Sequence, residues 1–86
     1  MSYSVIVEKP VKKFLARLEK SERDRVLAAI RMLPFEGDIR PLRGGNNAGL
    51  FRLRVGHYRI IYSVDHGRLI VHVIDAGNRG QVYNRY

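Results

Sequence analysis

The sequence predicts an α+β domain in which a helical hairpin packs on one face of an antiparallel sheet. A β-branched segment opens the chain, two stretches with apolar residues at helical spacing follow, and the second half alternates apolar and polar residues. The predicted order is β-α-α-β-β-β. All 86 residues (1–86) are assigned to one domain, because a chain of this length cannot build two independent cores.

The first strand is predicted over residues 3–7, which are rich in β-branched side chains. A helix then begins near Pro10, since proline is tolerated in a first helical turn. The apolar residues of this helix recur at helical spacing and predict a buried stripe: Val11, Phe14, Leu15 and Leu18.

A second helix is predicted from about Glu22 to Leu33, and Pro34 ends it. Ser21 followed by Asp24 resembles a capping box at its start. Val26, Leu27 and Ile30 fall on its inward face together with Leu33. Two amphipathic helices with so short a join predict a helical hairpin.

Residues 35–49 read as a loop, with a possible extended segment at 41–43. The glycines of residues 44–49 suggest a phosphate-binding loop. However, neither a Gly-Lys-Ser/Thr sequence nor a predicted helix follows them, so this interpretation is not favoured.

Residues 51–62 alternate on both sides of Gly56-His57, which is typical of a β-hairpin with a two-residue turn. The turn would set Val55 opposite Tyr58, Arg54 opposite Arg59 and Leu53 opposite Ile60. One face would then be a core face and carry Phe51, Leu53, Val55, Tyr58, Ile60 and Tyr62. The opposite face would carry Arg52, Arg54 and Arg59.

The three arginines predict an anion-binding surface. Like charges directly opposite each other on a sheet destabilise it by about 0.2–1 kcal/mol, so their accumulation points to a bound anion. The chain has 16 Lys+Arg against 8 Asp+Glu and a net charge of +8. Such a charge favours polyanionic partners, and we expect a nucleic-acid backbone.

The last strand is predicted over residues 68–76, after a turn at 65–67. It is apolar on both faces except at His72, which is typical of a central strand. Residues 77–80 are expected to break it. In the tail that follows, Tyr83 and Tyr86 either stack on nucleic-acid bases or cover the sheet edge.

Composition excludes several classes of protein. The chain has no cysteine, so disulfides, zinc–thiolate sites and thiol catalysis are absent. No histidine pair has metal-ligand spacing, and we expect neither a metal nor another cofactor. No apolar run approaches the roughly 20 residues that span a bilayer, which predicts a soluble, cytoplasmic protein without a membrane partner.

The sequence resembles the RelE/ParE superfamily of toxins from type II toxin–antitoxin systems over nearly its whole length. The segments that carry the resemblance are Pro41-Leu-Arg-Gly44, Phe51-Arg-Leu-Arg54, Gly56-His-Tyr-Arg-Ile-Ile-Tyr62, Val71-His-Val-Ile-Asp-Ala-Gly-Asn-Arg79 and Val82-Tyr83. The resemblance implies the RelE-like microbial ribonuclease fold, which has the predicted β-α-α-β-β-β order.

The RelE-like branch implies a metal-free endoribonuclease, or mRNA interferase, that cuts translated mRNA in the ribosomal A site. Its pattern assigns catalysis and RNA binding to Arg52, Arg54, Arg59, Arg79 and Tyr83, with Tyr86 as a further RNA contact. RelE-like proteins typically carry lysines at the first two positions. Arginine stays protonated and is a poor base. We therefore expect Tyr83 either to act as the base or to stack on the nucleobase at the cut, with His57 and His72 as reserve bases and Tyr86 as a reserve for Tyr83.

The resemblance also implies partners: the ribosome, mRNA and a cognate antitoxin with an acidic helical segment. Two alternatives stay open. ParE-like members share the fold but inhibit DNA gyrase without catalysis, and the chain is also compatible with a plain basic nucleic-acid-binding module.

Overall fold

The computed structural model describes residues 2–78 and Val82, with Asn46 described by its backbone alone. Two helices pack on a five-stranded sheet, which confirms the α+β class. The elements in chain order are β1 (Ser4–Val7), α1 (Lys9–Arg17), α2 (Lys20–Arg31), β2 (Asp38–Pro41), β3 (Phe51–Val55), β4 (Tyr58–Asp65) and β5 (Ile70–Asn78). No helix among these residues is long and apolar enough to cross a bilayer.

The sheet differs from the predicted one in two respects. Its strand order is β1-β5-β4-β3-β2, and β1 pairs with β5 in parallel, while the other pairs are antiparallel. The parallel pair arises because the helical hairpin carries the chain from β1 across the sheet before the β2–β5 meander returns. The second difference is β2 itself, which lies inside the stretch expected to be a loop.

The core lies between the two helices and one face of the sheet. Its helical residues include Val11 and Val26, both fully buried, and its sheet residues include Ile60 and Val71 at 0% exposure. The remaining buried members are Leu15, Ile30, Leu33, Leu53, Val55, Tyr62, Val73 and Ala76. The alternation that predicted a core face on the hairpin is therefore confirmed.

Helix α2 begins two residues earlier than expected, and this changes the role of its first turn. Glu19 is the N-cap residue and makes no side-chain capping hydrogen bond. The predicted capping box is wrong, because Ser21 and Asp24 both lie inside the helix. Asp24 instead accepts a hydrogen bond of 2.8 Å from Lys20. That bond holds the pKa of the Asp24 carboxyl below its usual value.

Strand β5 is the central strand that its apolar pattern predicted, and a bulge extends it beyond the expected end. Ile61 pairs with Asp75 but Tyr62 pairs with Val73, so Ile74 is an extra residue on β5. The bulge lets Val73 and Ala76 both face the core. Beyond it, the strand continues past Gly77 alongside the start of β4.

Candidate nucleic-acid interface

The β3–β4 hairpin has the register that the sequence predicted. Val55 is opposite Tyr58, Arg54 is opposite Arg59, and Leu53 is opposite Ile60. Because Leu53 and Ile60 point into the core, the arginines at alternate positions project from the other face of the sheet. The two helices do not cover this face.

Arg52 is the most buried of the three arginines, with only 9% of its surface exposed. Its guanidinium Nη2 donates to Asp38 Oδ1 at 3.1 Å across the β2–β3 pair. Its Nε is buried and has no hydrogen-bond partner within the part of the chain that the structure describes. The Asp38 carboxylate thus binds the guanidinium at Nη2, while the Nε–H makes no hydrogen bond to another described residue. By contrast, Arg54 is exposed and Arg59 is half-buried.

The sheet places like charges opposite each other twice on this face. Arg54 is opposite Arg59, and Arg40 of β2 is opposite Arg52. Each such pair destabilises a sheet by about 0.2–1 kcal/mol. A bound anion would relieve this repulsion, which is the physical reason to regard the face as a candidate binding surface.

A cavity of about 240 Å³ opens between these side chains. It is lined by Pro41, Leu42, Arg43, Arg52, Arg59, Ile61 and Val82. Ile61 and Val82 are each 1% exposed, so this part of the face is not fully open. The cavity lining therefore combines buried apolar side chains with three arginines. This arrangement suits a phosphate joined to less polar groups.

Sequence analysis did not assign two further arginines to this surface. Arg40 lies in β2, and Arg43 follows that strand and lines the cavity. The signal for β2 was weak, because only Ile39 alternates with polar neighbours and Pro41 is unfavourable in a strand. Arg43 lies in the Pro-Leu-Arg-Gly segment, which contributed to the family resemblance but was not read as a site.

The remaining predicted residues are placed as follows. Arg79, Tyr83 and Tyr86 lie outside the described residues. His57 is exposed in the hairpin turn. His72 lies opposite Ser63, four residues along β4 from Arg59, which is roughly 13 Å away from the cluster.

His72 contacts Glu8 instead of the arginines. Its Nε2 lies 2.5 Å from Glu8 Oε1, and this pair ties the end of β1 to β5. Among the described residues, no three of the His, Asp or Glu side chains gather in a group that could hold a metal ion.

The arginine face can bind and stabilise negative charge, but its described residues offer few groups for proton transfer. Neither a histidine nor a carboxylate is among the described residues that line the cavity. Two tyrosines of the hairpin lie on the helix-covered face. Burial raises the pKa of Tyr62 to about 12, and burial together with Glu22 raises the pKa of Tyr58. Neither phenol is therefore suited to act as a base at neutral pH.

Comparison with known proteins relates this chain to one group of proteins. A sequence model of the family described as the ParE toxin of type II toxin–antitoxin systems, parDE, matches residues 5–83. No curated protein matches the chain by sequence.

Among solved structures, the archaeal RelE–RelB complex from Pyrococcus horikoshii OT3 is similar, with 32% identity and a TM-score of 0.78. The alignment covers 94% of this chain and 99% of that chain. The RelBE2 toxin–antitoxin complex from Mycobacterium tuberculosis has 24% identity and a TM-score of 0.76 over 92% of this chain and 100% of that one.

A YoeB/ParE toxin from Agrobacterium tumefaciens shares the fold at 21% identity. Its TM-score is 0.70, over 88% of this chain and 98% of that chain. The family match spans nearly the whole sequence and the archaeal relative exceeds 30% identity. The chain is therefore a member of the RelE/ParE superfamily, the toxins of type II toxin–antitoxin systems.

Proposed function

We propose that this toxin is a ribosome-dependent endoribonuclease that cuts mRNA in the A site and so stops translation in the cytoplasm. The observation that carries the proposal is the arginine cluster around the cavity. Arg52 and Arg59 meet there on a sheet face that the helices leave uncovered. A phosphate bound between them would be contacted by two guanidinium groups at once.

The proposed reaction needs no metal. The ribose 2′-oxygen attacks the adjacent phosphorus while the bond from phosphorus to the 5′-oxygen breaks. The 2′-hydroxyl proton goes to a base, and the 5′-oxygen receives a proton as it leaves. The products are a 2′,3′-cyclic phosphate and a 5′-hydroxyl end. The transition state carries more negative charge on the phosphoryl oxygens than the ground state does, so fixed guanidinium groups lower the barrier.

In this mechanism Arg59 contacts the reacting phosphate, and Arg52, held by Asp38, faces it from the neighbouring strand. Arg54 adds charge from the exposed end of the cluster. We assign Arg79 to the leaving oxygen, which it would stabilise or protonate. Tyr83 would act as the base or stack on the nucleobase at the cut, and Tyr86 would be a further RNA contact. Support for Tyr83 comes from its neighbour in the sequence, Val82, which lines the cavity.

The test is to express the toxin briefly in cells and map the 5′ ends of the mRNA. We expect new 5′-hydroxyl ends inside translated codons. The Arg59→Ala variant should lower cleavage by about 10²–10³-fold, the usual loss when one donor to a developing oxyanion is removed. Arg31→Ala is the matched control, because Arg31 is exposed on α2, on the other side of the sheet. Intact mRNA with wild-type toxin would contradict the proposal.

The second candidate function is inhibition of DNA gyrase. It is favoured by the family match, which is to the ParE toxins over residues 5–83. Measurements of mRNA and DNA integrity in the same cells distinguish the two functions. Gyrase-linked breaks in DNA, together with intact mRNA, would favour the ParE-like function, whereas cleaved mRNA with intact DNA would favour the ribonuclease.

We further propose that a cognate antitoxin neutralises this toxin through an acidic helical segment. The net charge of +8 favours an acidic partner. Two of the structurally similar proteins, from Pyrococcus horikoshii and Mycobacterium tuberculosis, were solved as toxin–antitoxin complexes. Co-expression with the product of an adjacent small acidic reading frame tests this idea. Co-purification and restored cell growth are expected, and toxicity that persists without a complex would contradict it.

A further inference from the structure

Arg40 occupies a distinct place beside the arginine cluster. It lies in β2, the edge strand of the sheet, directly opposite Arg52 of β3. Ile39 beside it pairs with the buried Leu53, so Arg40 projects from the opposite face, on the same side as the cluster. Its side chain is exposed.

The nearest carboxylate on this strand serves another residue. Asp38 is opposite Arg54 in the register, yet its side chain binds the buried guanidinium of Arg52 at 3.1 Å. Within the described part of the chain, Arg40 has no carboxylate within ion-pair distance. The acidic residue of β2 thus neutralises the buried arginine, and the charge of Arg40 is left for a partner outside the fold.

Arg40 does not line the cavity that contains Arg52 and Arg59. Arg40 and Arg59 are separated by two strand spacings, about 10 Å across the sheet. An RNA strand that crosses β4, β3 and β2 would present a second phosphate at Arg40.

We propose that Arg40 binds a backbone phosphate of the RNA next to the one at the cavity, so that the RNA-binding surface extends to the β2 edge. This inference rests on the proposed function insofar as the ligand is RNA. It assigns Arg40 to binding and not to the chemical step. The contact is to the backbone, so it is independent of base sequence.

The test measures affinity as a function of salt for a short fluorescein-labelled 2′-O-methyl RNA, which lacks the attacking hydroxyl and stays intact. When one phosphate contact is lost, the slope of the logarithm of the association constant against log [salt] should fall in magnitude by about 0.7. That slope change corresponds to about a fivefold loss of affinity at ~0.1 M salt for Arg40→Ala. Arg40→Lys should retain most of the affinity and the slope. Unfolding midpoints by circular dichroism check that each variant folds.

Arg31→Ala is again the matched control, because it removes one positive charge from the helix-covered side of the sheet. Equal losses in Arg40→Ala and Arg31→Ala would mean that net charge alone drives binding, and this would overturn the proposal. An unchanged slope in Arg40→Ala would overturn it as well. If wild-type toxin binds RNA with the expected Arg40 dependence but leaves cellular mRNA intact, the ribonuclease function fails while the Arg40 contact stands.

Discussion

Arg54 and Arg59 lie directly opposite each other across the β3–β4 hairpin. A sheet selected for stability alone would not pair two cations there, because the repulsion costs about 0.2–1 kcal/mol. Their neighbours in the register on the other face, Leu53 and Ile60, are buried and complementary. The hairpin therefore combines one face that stabilises the fold with another on which two cations lie opposite each other.

Replacing Arg54 with Gln should raise stability and lower activity. Removal of the repulsion from Arg59 is expected to increase the free energy of unfolding by roughly a few tenths of a kcal/mol, because Asp38 opposite Arg54 loses a neighbouring cation and offsets part of the gain. The same change removes one cation from the face proposed to bind RNA and so should weaken cleavage. Urea denaturation and mRNA mapping measure the two effects, with Arg31→Gln as the control. A variant that is less stable than wild type would contradict the repulsion argument.

The ion pair between Asp38 and Arg52 should be important for stability. Asp38→Ala would leave the guanidinium of Arg52, which is only 9% exposed, without its carboxylate. We expect a loss of about 1–3 kcal/mol in the free energy of unfolding. A double-mutant cycle with Arg52→Met, which keeps a long apolar side chain, isolates the interaction. Strict additivity of the two changes would show that the contact contributes nothing.

The hairpin could be predicted residue by residue because its alternation runs for twelve residues around a clear turn. The two faces of a strand follow from a period of two, so the register of Arg54 with Arg59 needed no other information. Strand β2 lacks such a pattern. It has four residues, includes Pro41, and follows a loop, so its pairing with β3 is fixed by tertiary contacts alone.

That short strand accounts for most of what sequence analysis missed at the site. Asp38 and Arg40 lie just before the segment of the family resemblance that begins at Pro41, and only the register of β2 brings them to Arg52. Helix α2 also begins two residues before its predicted start. Lys20 pairs with Asp24 at helical spacing, which favours a helix that starts before Ser21.

Gly37 should be intolerant of substitution because it brings the chain into β2 next to the core. Its φ is +132°, and an added Cβ would lie 2.6 Å from Cδ1 of the buried Leu53. Gly37→Ala should therefore cost roughly 2–4 kcal/mol, from overpacking and from backbone strain. Gly44 is the matched control: its φ is +89°, but an added Cβ meets nothing within 4 Å. Equal urea midpoints for the two variants would contradict this account.

His72 should not be the base of the cleavage reaction. It pairs with Ser63 and contacts Glu8, roughly 13 Å along the sheet from Arg59. A general base must lie within about 3 Å of the hydroxyl from which it takes a proton. His72→Ala should thus keep mRNA cleavage within about twofold of wild type, whereas Tyr83→Phe should lower it if Tyr83 is the base. A loss in His72→Ala as large as that in Arg59→Ala would contradict this assignment.

Tyr62 should make the fold sensitive to alkaline pH. Burial raises its pKa from 10.0 to about 12, so the unfolded chain loses the phenolic proton at lower pH than the folded chain does. The stability that Tyr62 contributes is fully present below pH 10 and is lost as the pH rises through 12. A shift of two units predicts that wild type loses about 1.4 kcal/mol more between pH 8 and pH 11 than Tyr62→Phe does. Urea denaturation across this range measures the difference, and parallel curves for the two proteins would contradict it.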